Sequence, residues 1–327
     1  MVNLKQAFDL FIFDRETYCK EKTITNYKNT LSYFISYMEN DRGCSSDQIS
    51  IDTITIMDLK GFVSMLRHRN KLSTHPFKPT VDKPITKRSI RTYSIDLRTF
   101  FNFLYDNDYM EDNITKKFKI IKSETKLVLP LFSSEVQMID ELFNKKTLTG
   151  IRNYCVIHLM LDEGLRSGDV CNLTVNSINF QDGYILILDG KGDKDRIVPL
   201  AKRLRDPLYK YLNFYRKHTQ THNYLFTSVL DPEEPFSDNA VKCLFSRIRK
   251  DTGLSRLKPH LLRHTFATSF ILGGGDMESL RLYLGHSSYD TTQKYLHLAN
   301  TYNRMGSDIY KLDPIFFRSY YFNYGNH

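Results

Sequence analysis

Ile24, Tyr27, Leu31, Phe34 and Met38 recur at alternating steps of three and four, the spacing of one buried stripe on an α-helix. A stretch patterned this way must find another apolar surface, so the first third of the chain is committed to packed helices. Thr23 stands where a cap is expected at the start of this helix. A second helix is expected from about Ile56 to Arg69. A third places Ile90, Ser94, Leu97, Phe101 and Leu104 on one face. The stretch from Asn70 to Pro84 holds three prolines and reads as a loop. Lys87, Arg91 and Arg98 lie together on another face of the third helix. That stripe is either a solvated helix face or a surface that tracks phosphates.

The helical pattern breaks at the lysine-rich stretch from Lys117 to Lys126, which reads as a linker. It returns from Ser133 through Glu141, and again from Asn153 to Leu161. Two strand-like runs follow, Tyr184 to Leu188 and Arg196 to Leu200, with Gly190-Lys191-Gly192-Asp193 as the turn between them. Helices resume at Asp206, Asp238 and Pro259. A chain of 327 residues exceeds what a single core commonly serves. The expected fold is therefore mainly α with a small β-sheet, in two domains.

The net charge of +9 permits a polyanionic partner without demanding one. The five cysteines are scattered, and no C-x-x-C pair occurs. A disulfide framework and a cysteine zinc site are both unexpected. The N-terminus has no signal-peptide core, and no apolar run is long enough to span a bilayer. A cytoplasmic protein with reduced thiols and no membrane partner is expected.

Four stretches have residues suited to phosphoryl transfer, each with a plainer alternative. In Gly164-Leu165-Arg166-Ser167-Gly168-Asp169, the glycine stops an apolar helix, and Arg166 falls in a bend before the next one. A solvated arginine beside a helix end is the alternative. Lys191 at the hairpin tip is either turn chemistry or a mobile acid. In Lys258-Pro259-His260-Leu261-Leu262-Arg263-His264, proline suits a first helical turn, and His260 and Arg263 share a face. A buried histidine and a surface arginine are the alternative. Leu284-Gly285-His286-Ser287 precedes Thr291-Thr292-Gln293-Lys294-Tyr295, and a single tyrosine among 21 is usually packing.

Taken in this order, the stretches resemble the catalytic domain of tyrosine recombinases, the group that includes phage integrases and Xer recombinases. The resemblance spans roughly Ser133 to Leu298. It is densest from Arg256, through His260-Leu-Leu-Arg263-His-Thr-Phe-Ala-Thr, Leu284-Gly-His286-Ser-Ser and Thr291-Thr-Gln-Lys-Tyr295. Gly190-Lys191-Gly192-Asp193-Lys194-Asp195-Arg196-Ile-Val-Pro-Leu matches the family's hairpin. Gly168 departs from the serine often found there, and Gly273-Gly274-Gly275 is unusually glycine-rich.

The resemblance implies roles. Arg166 and Arg263 would grip the scissile phosphate, and Lys191, with Lys194 as a rival, would protonate the leaving 5′ oxygen. His260 would act as base and His286 would bond a phosphate oxygen. Tyr295 would form the 3′-phosphotyrosine, and Asp169 would orient the histidine and arginine. It also implies a helical, SAM-like core-binding domain over 1–118, a linker over 119–132, a catalytic domain over 133–300 and a tail over 301–327 that docks on a neighbouring protomer. Lys87, Arg91 and Arg98 would then face DNA. The expected partner is double-stranded DNA with an inverted-repeat core site, held by a homotetramer that forms from monomers. No metal, nucleotide or other cofactor is expected. A type IB topoisomerase shares this chemistry, and a helix-turn-helix regulator would share the helix, glycine turn and helix from Phe266 to Leu284. A metal-dependent nuclease lacks a carboxylate cluster.

Overall fold

The computed structural model describes residues 2–71, 81–122, 128–188, 195–286, 288, 289 and 292–296. The chain forms two compact units, divided between Lys126 and Leu127.

The first unit contains α1 (Leu4–Glu16), α2 (Glu21–Arg42), α3 (Ile56–His68), β1 (Asn70–Lys71), β2 (Val81–Pro84) and α4 (Lys87–Asp106). The stripe on α2 is buried as its spacing requires: Leu31, Phe34 and Met38 are each no more than 1% exposed. Phe34 meets Phe62 of α3 and Phe101 of α4 edge to face, at 5.4 and 5.7 Å. Each such ring contributes about 1.5–3 kcal/mol by leaving water. Thr23 is not the cap. Lys20 occupies that position without a side-chain capping bond to the helix, and Thr23 lies within the first turn. The proline-rich stretch is bounded by a short antiparallel pairing of β1 with β2. Arg91 donates to Ile121 O at 3.2 Å, and Arg98 donates to Phe118 O. These two arginines tie the start of the lysine-rich stretch to the first unit, where Phe118 is buried.

The second unit begins with α5 (Ser133–Glu141), α6 (Leu148–Leu161) and α7 (Ser167–Asn172). A three-stranded antiparallel sheet follows, of β3 (Ile178–Asn179), β4 (Tyr184–Ile187) and β5 (Arg196–Pro199). Its third strand, β3, is too short to show a period in the sequence. The unit continues with α8 (Lys202–Lys210), α9 (Asp238–Thr252), α10 (Pro259–Leu272) and α11 (Met277–Leu284). α8 starts before Asp206: β5 ends at Pro199, Ala201 is the N-cap of the helix, and Leu204 and Leu208 fall one turn apart on the core side. α6 is buried along nearly its whole length and forms the centre of this unit. Among the described residues, no helix is long and apolar enough to cross a membrane.

Two glycines position the site. Gly164 has φ +65°, and a Cβ there would lie 2.5 Å from Phe266 Cδ1. The chain can therefore leave α6 and reach α7 only with glycine here. Gly285 has φ +59° and caps α11, turning the chain toward His286.

Candidate active site

Arg166 precedes α7, and its backbone N–H donates to Asp169 Oδ2 at 3.0 Å, fixing the bend. Its guanidinium donates from Nη2 to Gly285 O at 3.2 Å, while Nη1 is buried with no hydrogen-bond partner. Arg263, on the second turn of α10, is 4% exposed. It donates to Gly164 O at 2.7 Å and to Leu284 O at 2.5 Å. A third bond runs from Nη2 to His286 Nε2 at 3.1 Å. One arginine thus pins together the turn after α6 and the turn after α11.

His286 accepts at Nε2, so the proton of its neutral ring sits on Nδ1, which lies 2.9 Å from Thr292 Oγ1. Burial, together with Arg263 and Arg166, pushes its pKa down to about 3. Residues 292–296 are helical and include Tyr295. The Tyr295 ring lies parallel to His286 at 6.5 Å and packs against His264 at 5.3 Å. It is 5% exposed and belongs to a small core with Phe266, Phe270, Leu280 and Leu284. Burial raises its pKa, against the pull of Arg263 and Arg166, so the phenol is protonated at neutral pH.

His260, on the first turn of α10, is exposed. Burial of part of its ring and the charges of Arg263, Lys258 and Arg166 lower its pKa. It is therefore neutral near pH 7 and able to accept a proton. The structure brings Arg166, Arg263, His286 and Tyr295 together from four separate stretches, with His260 one turn from Arg263. Lys191 and Lys194 lie outside the described residues. Lys87, Arg91 and Arg98 belong to the other unit. Among the described residues, no group of three or more His, Cys, Asp or Glu is placed to hold a metal.

Two further residues belong to this constellation. Arg196 donates from Nη2 to Asp169 Oδ2 at 2.5 Å and from Nε to Tyr283 O at 3.0 Å. The alternation of Arg196, Val198 and Leu200 was a signal for it, since the latter two are core residues. His264 donates from Nε2 to Val128 O at 2.6 Å while its ring supports Tyr295. Arg256 donates to Leu129 O at 2.7 Å, and Leu131 N–H donates to Thr265 Oγ1 at 2.9 Å. The strand of chain entering the second unit is thereby fastened along α10, next to the tyrosine.

Residues 131–301, just over half of the chain, match the model of the phage integrase family. The chain is 27% identical to the tyrosine recombinase XerC of Pediococcus pentosaceus over 285 residues, covering 85% of this chain and 88% of that protein. It is 28% identical to the tyrosine recombinase XerD of Listeria innocua over 292 residues, covering 88% and 91%. The fold is similar to that of the Tn1549 transposon integrase in complex with circular intermediate DNA, with a TM-score of 0.70, 19% identity and coverage of 90% and 95%. It is also similar to a lambda integrase dimer bound to a core site, with a TM-score of 0.67, 18% identity and coverage of 90% and 95%. These relatives favour neither the topoisomerase nor the regulator reading. The chain belongs to the phage integrase family, the tyrosine site-specific recombinases.

Proposed function

We propose that this recombinase cuts and rejoins DNA through a covalent bond between Tyr295 and a backbone phosphate. The observation that carries the reading is the convergence of Arg166, Arg263, His286 and Tyr295 on one side of α10. Tyr295 Oη attacks phosphorus and its proton passes to His260. The bond from phosphorus to the 5′ oxygen breaks, and Lys191 protonates that oxygen. A 3′-phosphotyrosine remains. A 5′ hydroxyl from the partner strand then reverses the step, releasing Tyr295. Negative charge grows on the non-bridging oxygens, where Arg166 and Arg263 supply preorganised donors. The phosphotyrosine conserves the energy of the broken bond, so ligation needs no nucleotide.

The first unit acts as a core-binding domain, with 119–132 as linker and the catalytic domain over 133–300. Lys87 and the remaining donors of Arg91 and Arg98 face the duplex. The similar integrases are bound to circular intermediate DNA and to a core site, in keeping with double-stranded DNA bearing inverted repeats as the substrate. Monomers assemble on it into a tetramer, each aromatic tail docking on a neighbour, and the reaction takes place in the cytoplasm. A nicked suicide substrate tests the chemistry. The natural protein should give a covalent protein–DNA band, and Tyr295→Phe should give none while still binding the site. A band from Tyr295→Phe would overturn the reading.

A further inference from the structure

Arg196 is a cation of the site that these steps do not use. The register pairs it with Ile187, itself buried, which turns the Arg196 side chain inward and leaves it 7% exposed. Asp169 Oδ2 accepts from Arg196 Nη2 at 2.5 Å and from the Arg166 backbone N–H at 3.0 Å. Arg166 Nη1 stands 3.9 Å from that same oxygen, buried and without a hydrogen-bond partner. A guanidinium so close to a carboxylate ordinarily closes on it to form a charge-assisted bond. Here the oxygen is already engaged twice. Arg196 also lies near enough to Arg166 and Arg263 to disfavour their charges. A neutral donor would tie the strand down without that repulsion, so the charge itself needs a reason.

We propose that Arg196 is a positioning residue that occupies Asp169 and so leaves Arg166 Nη1 without an acceptor of its own, reserved for the scissile phosphate. Its second bond, to Tyr283 O at 3.0 Å, holds the end of α11 and hence the turn that presents His286. The hairpin strand, the Arg166 bend and the His286 turn then share one anchor. Without Arg196, Asp169 is free to capture Arg166 Nη1, which removes a phosphate donor although every residue assigned to the reaction is still present. This inference rests on the reading of Arg166 as a phosphate ligand.

Single-turnover cleavage and equilibrium binding of the same site separate the possibilities. Arg196→Met should cleave about 10²-fold more slowly, the loss typical of one preorganised donor, with binding little changed. Adding Asp169→Asn should restore at least about tenfold of that rate. The amide still accepts the Arg166 backbone N–H but has no charge to trap its guanidinium. A double variant no faster than Arg196→Met would overturn the proposal, since a simple tether is not mended by altering Asp169. Unimpaired cleavage by Arg196→Met, with Arg166→Lys impaired, would also overturn it. If Arg166→Lys cleaves normally, the phosphate-ligand reading fails first, and this proposal with it. Should Arg196→Met not fold, Arg196→Gln retains a donor for Tyr283 O and is read in the same way.

Discussion

Arg263 donates through Nη2 to His286 Nε2 across 3.1 Å, so the imidazole stands in the site as a neutral acceptor. Its pKa, pushed down to about 3 by burial and by Arg263 and Arg166, keeps it neutral near pH 7. The acid limb of the pH–rate profile therefore belongs to His260. Its pKa is lowered from the ordinary 6.5 by burial and by Arg263, so kcat/KM for cleavage should rise with pH along a limb centred below the ordinary imidazole value of about 6.5. His260→Gln should lower the plateau and abolish the limb. A limb centred above about pH 7, or one that survives in His260→Gln, would contradict this assignment.

His158 makes the opposite prediction for stability. It is fully buried, with Nδ1 2.7 Å from Asp162 and Nε2 2.7 Å from Asp140. Burial disfavours its charge, but Asp162 and hydrogen bonds to both carboxylates outweigh that and raise its pKa. The folded state then holds a proton that the unfolded chain releases near pH 6.5. The stabilisation is complete below about pH 6.5 and is lost as pH rises through the raised folded pKa. His158→Gln should destabilise the protein at pH 6, because it removes the buried cation between Asp162 and Asp140, by less than the about 3–5 kcal/mol typical of breaking a buried pair, since Arg203 still pairs with Asp140. Urea unfolding of both proteins as a function of pH should show the gap shrinking as pH increases. A gap that widens with pH would refute the charged assignment.

Arg263→Lys keeps a positive charge but loses the planar fork that reaches Gly164 O, Leu284 O and His286 together. Cleavage should slow by about 10²–10³, or about 2.7–4 kcal/mol of transition-state stabilisation. The affinity for intact DNA should change far less. Equal losses in binding and cleavage would make Arg263 a binding contact only.

Deleting everything after Pro314 removes Phe316, Phe317, Tyr320, Tyr321, Phe322 and Tyr324; this tail lies outside the described residues. If the tail docks on a neighbour, the shortened protein should fold and bind a single half-site with natural affinity. Cooperative filling of paired half-sites should disappear in gel-shift titrations. A large fall in melting temperature would instead place the aromatics in the protein's own core.

The sequence showed most clearly what depends on local periodicity. The stripe through Leu31, Phe34 and Met38 needed only helical spacing, and Gly164 announced its turn by closing an apolar run. The motifs carrying Arg166, His260, Arg263, His286 and Tyr295 were legible because their order along the chain is distinctive. Contacts between distant segments were not. Arg91 and Arg98 read as one basic stripe, and nothing local shows that their donors reach the carbonyls of Ile121 and Phe118. Arg196 and Asp169 are joined across the sheet and α7, so their pairing depends on tertiary packing. His264 follows Arg263 in the chain, and only the packing of α10 places it between Val128 O and the Tyr295 ring.

The central claim is that Tyr295 carries the DNA. Protein trapped on a nicked site, in excess EDTA and without nucleotide, can be digested with nuclease and protease and its peptides sequenced by mass spectrometry. The account predicts one modified peptide, with a 3′-phosphonucleotide on Tyr295 and every other tyrosine unmodified. A nucleotide on a different residue, attachment through a 5′ phosphate, or no adduct until magnesium is restored would contradict it.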